Sequence, residues 1–291
     1  MSNPPIQFQK QRELGDLITD TFKFIRQNFK PLFRIIFKIT APVFIILLLA
    51  IGYYSYLGMD LMANPFLISS MEIDFELYII SLFILMSALL AFYVLLYGSV
   101  LHYIQSYIRN SGVASETEVY SGIKSDFGKL LGILLLVGII SIAGLLLCVL
   151  PGVYLWVPLS IAPAIMIFNR RSVLDAIGDA FSLIKDNWWT TFFSLFVITL
   201  LVYIIGLIFQ FPLTVYYFIK TLTTSQEGSV ANAADLVDWV YIFFNVLSSL
   251  FQYLLSVIII IATAFIYYNL DEKKHATGSY ERISNLGSSE N

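Results

Sequence analysis

Five stretches of this chain continue for about 20 residues or more with at most one charged side chain, the length a helix needs to cross roughly 30 Å of hydrocarbon. They predict membrane-crossing helices rather than a soluble core. The first, 35–57, carries Lys38 close enough to its start for the ammonium to reach the headgroups. The second is 77–101. A double-length run, 130–168, is interrupted at Pro151 and Gly152, residues that end a helix and turn the chain, so it divides into crossings at 130–150 and 153–168. The fifth crossing is 188–211, limited by Pro212, and the sixth is 239–268. Pro158 and Pro163 mark a further candidate break in the short fourth helix, together with Pro151 and Gly152.

Ahead of two of these crossings the pattern changes to helical amphipathicity. Val173, Ile177, Ala180, Phe181, Ile184 and Trp188 share one face at a period of 3.6, with Arg171, Asp175, Ser182 and Asp186 opposite. Leu14, Ile18, Thr21, Ile25 and Phe29 repeat this against Arg12, Asp16, Lys23 and Gln27. Both segments are expected to lie in the interface and to feed a crossing at a bend. They align without gaps: 12–40 matches 171–199 with eleven identities, among them Arg12/Arg171, Asp16/Asp175, Asp20/Asp179 and Asn28/Asn187, where composition alone predicts about two. Both copies precede a crossing from the same side, so the repeat is parallel, about an axis along the membrane normal. The expected fold is all-α, a polytopic membrane protein with six transmembrane helices and two interfacial amphipathic helices.

Charge sets the orientation. Of the seventeen Lys and Arg residues, only Lys220 falls in the segments after the first, third and fifth crossings. Basic residues near membrane ends stay on the cytoplasmic side, which places both termini in the cytoplasm and the protein in the cytoplasmic membrane. Residues 1–34 then form a cytoplasmic N-terminus, 35–268 the membrane domain and 269–291 a polar cytoplasmic tail. The outer loops collect Asp60, Glu72, Asp74, Glu76, Glu227, Asp235 and Asp238, an acidic remainder without the spacing of a calcium loop. A polar, charged start followed by an overlong apolar run makes the first helix an uncleaved anchor. Composition agrees: 58% hydrophobic, 16% aromatic and 13% charged, with a net charge of −3.

Reaction chemistry is sparse. There is no His-Glu-x-x-His, phosphate-loop or Gly-x-Ser-x-Gly pattern, and the only histidines, His102 and His275, read as interface or surface residues. Cys148, the single cysteine, reads as a small buried hydrophobe in the third crossing. Asn245, Ser249, Gln252, Ser256 and Thr263 form a polar stripe along the sixth helix, the candidate substrate path if one exists. Hydrogen bonding between helices is the structural alternative. No cofactor or metal is expected.

The segments Leu150-Pro151-Gly152-Val153-Tyr154-Leu155-Trp156-Val157, Ala162-Pro163-Ala164, Ser172 to Asp179, Phe181-Ser182-Leu183 and Asn187-Trp188-Trp189 resemble the membrane domain that accompanies some bacterial glycerophosphodiester phosphodiesterases. They are similar also to the uncharacterised inner-membrane proteins of the YciC type. The likeness covers 130–270 and, more loosely, the N-terminal repeat. It implies a helical membrane module without catalysis of its own, because in the two-part enzymes the phosphodiesterase site lies in a separate soluble barrel. Phe168 and Asn169 stand where that pattern has an acidic residue.

These features together predict a non-enzymatic scaffold or accessory subunit linked to lipid or envelope processes. Its expected partners are membrane lipids and a protein in the membrane or cytoplasm, and no nucleic acid. The alternative is a permease or a transporter of lipids or small molecules, built on the sixth-helix stripe and the proline-containing fourth helix.

Overall fold

The computed structural model describes residues 4–57, 75–226 and 238–276. Among them the regular structure is helical: α1 (Leu14–Leu57), α2 (Phe75–Arg109), α3 (Glu116–Leu147), α4 (Val149–Phe168), α5 (Val173–Ile184), a 3-10 turn (Lys185–Asn187), α6 (Trp188–Gln226) and α7 (Trp239–His275). Six of the helices are long and apolar enough to cross a membrane, which makes this a multi-pass membrane protein.

Most helices outrun the apolar stretches that revealed them. An apolar run reports the thickness of hydrocarbon, whereas a helix continues as long as its backbone can hydrogen-bond internally. α3 therefore starts at Glu116 and α7 reaches His275. Pro212 does not end the fifth crossing but lies inside α6, and α4 is unbroken past Pro158 and Pro163, both buried. A proline inside a membrane helix removes one N–H bond, and neighbouring groups can compensate. The expected break at Pro151 and Gly152 falls earlier, at Cys148. Pro151 lies in the first turn of α4, where a missing N–H has no helical acceptor to lose. Gly144 and Gly152 let the two arms of this turn touch: a Cβ at Gly152 would stand 2.8 Å from Leu145. Cys148 is exposed rather than buried, and Leu146, Leu147 and Leu150 around it are about as open as side chains become.

The first amphipathic segment is likewise not a separate helix, because α1 is continuous from Leu14 to Leu57. Its buried face is Leu17, Thr21, Phe24 and Asn28, rotated from the expected one, and Leu14 and Phe29 are exposed. The second segment is discrete. Ser172 caps α5 by accepting from the Asp175 amide at 3.3 Å, and Ala176, Ala180, Leu183 and Ile184 are buried. The expected outer acids Asp60, Glu72, Asp74, Glu227 and Asp235, and the tail from residue 277, lie outside the described residues.

The chain forms two compact units, and α1, α2, α6 and α7 contribute to both. Thr40–Phe92 and Leu201–Ser256 make one. Aromatic pairs join its helices: Phe44 stacks on Phe92 at 4.9 Å, Phe209 on Phe251 at 4.1 Å, and Tyr56 on Trp239 at 5.6 Å. Asp238 caps α7 through the Tyr241 amide at 3.0 Å, and accepts from Tyr216 at 2.6 Å and from Lys220. Burial pushes the Asp238 carboxyl up, but the Lys220 and Tyr216 donors and the Tyr241 amide outweigh it and hold it at about 2.

Met1–Ile39, Tyr93–Leu200 and Val257–Asn291 make the other unit. An extended strap before α1 runs through its core. Phe8, 2% exposed, stacks on Phe265 at 4.3 Å and meets the edges of Phe24, Tyr107 and Tyr268. The Ile6 amide donates to the Tyr107 hydroxyl at 3.0 Å. Arg12, at the end of the strap, has a buried side chain. Its guanidinium pairs with Asp20 at 2.8 Å, donates to the carbonyls of Phe8, Lys10 and Gln7, and lies 4.8 Å over the Phe265 ring. A buried guanidinium is tolerated when its donors are used in this way.

Candidate functional site

The polar side chains that gather in one place do so in the second unit described, at the α2–α3 hairpin. Gly112, at φ +107, makes the turn with Pro5 packed so close that a Cβ would sit 2.8 Å from it. Ser106 buttons the hairpin: its hydroxyl donates to Glu118 at 2.6 Å and accepts from the Ser115 amide at 2.9 Å and the Asn110 amide group at 3.2 Å. Further along, Gly98 brings α2 within reach of Ile123 and Leu130 on α3.

The hairpin and the end of α4 enclose a cleft of about 470 Å³. His102 lies at its base, 5% exposed, against the bare backbone of Gly122, where a Cβ would come within 2.5 Å of Nδ1. Gln105 donates to the Ile167 carbonyl at 3.2 Å, which orients its amide so that Oε1 faces His102 Nδ1 at 3.3 Å. Nε2 is buried without a hydrogen bond, 3.4 Å from Asp126 Oδ2. The hydroxyls of Ser121 and Ser125 donate to carbonyls of their own helix, so neither is poised on the imidazole.

Around the mouth stand Arg109, Lys129 and Arg170. The two acids of the cleft are already engaged: Glu118 accepts from Ser106 and Asn110, and Asp126 lies 3.5 Å from Lys129. Arg109 and Arg170 have no ion pair with any described residue. Arg170 is also unusual in its backbone. It follows the end of α4 at φ +52, the position where a helix ends in a left-handed residue that is most often glycine, and the Arg171 amide closes the motif on Met166 O at 3.1 Å. The arrangement places two guanidiniums, neither in a salt bridge with a described residue, on one polar cleft. Among the described residues, no three His, Cys, Asp or Glu side chains converge as metal ligands.

The sixth-helix stripe is arranged differently. Ser249 donates to Asn245 O, Ser256 to Tyr253 O and Thr263 to Ile260 O, all on their own helix, and Gln252 is exposed. The helix-to-helix bond comes from Ser248, one position off the stripe, to Phe209 O at 3.0 Å. A second cleft of about 660 Å³ lies beside the strap, lined by Arg12, Asn269 and Thr191 among others. These polar groups are used internally: Asn269 accepts from the Arg12 amide at 2.7 Å and Thr191 donates to Asn187 O at 2.8 Å.

Sequence reasoning missed the α2–α3–α4 cleft because its cations lie far apart along the chain and match no motif. His102 was visible but read as an interface residue, and a signal lay in Gly122, a glycine amid helix-forming residues. No family model, curated protein or solved structure matches this chain.

Proposed function

We propose that this is a multi-pass protein of the cytoplasmic membrane, with both termini in the cytoplasm, that works without catalysis as a scaffold or accessory subunit. The observation that carries this reading is how the chain spends its buried polar groups. Arg12 commits its guanidinium to Asp20 and to strap carbonyls, fastening the strap to α1, and the stripe hydroxyls are satisfied within their own helix rather than turned to a substrate. Helices with wide apolar exteriors suit the holding of a partner and lipid. The likeness to glycerophosphodiester phosphodiesterase membrane domains and YciC-type proteins fits the same role.

A parallel repeat is part of the proposal. Arg12 pairs with Asp20 at 2.8 Å and Arg171 with Asp179 at 2.9 Å, both through Nε and Oδ2, at positions the alignment of 12–40 with 171–199 equates. The pairing recurs at the matched positions, although Arg12 is buried and Arg171 exposed, and α5 is a discrete helix while the first copy is the start of α1. The same correspondence favours the second reading, a transporter, since parallel repeats are a common build of permeases.

The test is extraction of the protein with its surrounding lipid in a membrane-solubilising polymer, followed by mass spectrometry of what remains bound. A stoichiometric protein partner is the expected result. A protein that comes out alone, holding one small molecule, would replace the scaffold reading with the transporter.

A further inference from the structure

We propose that Arg109 and Arg170 form a phosphate-binding site whose ligand is the phosphate ester of a membrane phospholipid headgroup. Two guanidiniums at the mouth of one cleft, neither paired with a carboxylate, present the planar N–H forks that match phosphate oxygens. Of the charges lining the cleft, Lys129 lies against Asp126 and Arg109 acts electrostatically on Glu118, so three cations against two acids leave the cleft net positive. Position supplies the source. The cleft lies where three apolar runs end, with His102 just past 77–101, Lys129 just before 130–150 and Arg170 just past 153–168, so it is level with the headgroup phosphates.

The backbone of Arg170 supplies a second readout. A left-handed residue after a helix costs a non-glycine side chain energy, and glycine there would remove the strain. Ser111 and Ala276 share this conformation, and Arg170 differs from them in carrying a charge that lines the cleft.

The strain makes the test specific. The full-length protein in a neutral detergent is titrated with dihexanoyl phosphatidylglycerol, with the uncharged dihexanoylglycerol, and with inorganic phosphate, and thermal unfolding is followed. The phosphatidylglycerol should raise the unfolding temperature saturably and the diacylglycerol should not. Arg109→Gln and Arg170→Gly should each weaken that lipid about tenfold, the loss of a charge-assisted pair. Lys124→Gln, which removes a nearby charge that does not line the cleft, should leave it unchanged. Arg170→Gly should also raise the ligand-free unfolding temperature by about 2–4 °C as the strain is lost. Inorganic phosphate that matches the lipid in affinity would overturn the lipid assignment. Full lipid protection in both arginine variants, or equal protection by the diacylglycerol, would overturn the phosphate site itself.

Discussion

Replacing Phe8 by Ala should release the N-terminal strap. The ring is 2% exposed and meets four other rings, so truncation loses both its transfer energy and its packing, about 3 kcal/mol for a buried phenylalanine. The remaining attachments are the burial of Ile6, the Ile6 amide bond to Tyr107 and the Arg12 bonds to strap carbonyls. Ordering the strap costs on the order of 1 kcal/mol per residue, which offsets much of what they contribute. A loss of about 3 kcal/mol therefore raises the undocked fraction about a hundredfold. Trypsin reads that fraction directly, because Lys10 and Arg12 lie in the strap, and cleavage tracks the open population when closing is fast. Phe8→Ala should speed cleavage at these sites by about two orders of magnitude, and Phe8→Leu, which keeps most of the volume, by far less. Tyr107→Phe should add little on top of Phe8→Ala, since both free the same segment. An unchanged cleavage rate in Phe8→Ala would refute the strap's role in holding α1, α2 and α7 together.

Gly122→Ala should destabilise by about 1–3 kcal/mol, because its methyl group would displace the His102 ring, and His102→Ala should relieve part of that cost in the double variant; paired unfolding curves decide it. Asp238, held at about 2, contributes stability that is present above the ordinary aspartate value near 3.9 and lost as pH falls toward about 2. Asp238→Asn should flatten that acid limb and cost no more than about 1 kcal/mol at neutral pH, since the pair is partly open to solvent. Replacing Asn245 and Gln252 together by Leu should leave folding intact or slightly improved, as Gln252 is exposed on an apolar helix; loss of a measured transport activity in that variant would favour the permease.

The crossings were legible because hydrocarbon thickness imposes a minimum apolar length that no soluble segment of this chain imitates. Helix ends were not, since nothing in the polarity of Glu116–Lys129 or Asp271–His275 marks where backbone hydrogen bonding stops. The turn at Cys148 depends on the contact of Gly144 with Gly152, a pair that sequence shows only as two small residues, while Pro151 nearby is the louder signal and tolerates the first turn of α4. Ile6 and Phe8 are isolated apolar residues in a polar stretch with no period to expose them. Their burial is a long-range event, as is the placing of Arg109 and Arg170 on one cleft, which requires the α2–α3 hairpin to close and α4 to end beside it. The histidine at the cleft base shows the same limit: His102 is remote in sequence from Gln105's acceptor, Ile167, and only the fold joins them.

The central claim, six crossings with both ends on the cytoplasmic side, is tested most directly by fusing a reporter that is active only outside the cytoplasm at four points. Fusions after Leu61 and Ser229 should be active, and fusions after Lys124 and at the C-terminus inactive. Activity after Lys124 or at the C-terminus, or silence after Leu61 or Ser229 in stably produced protein, would contradict it.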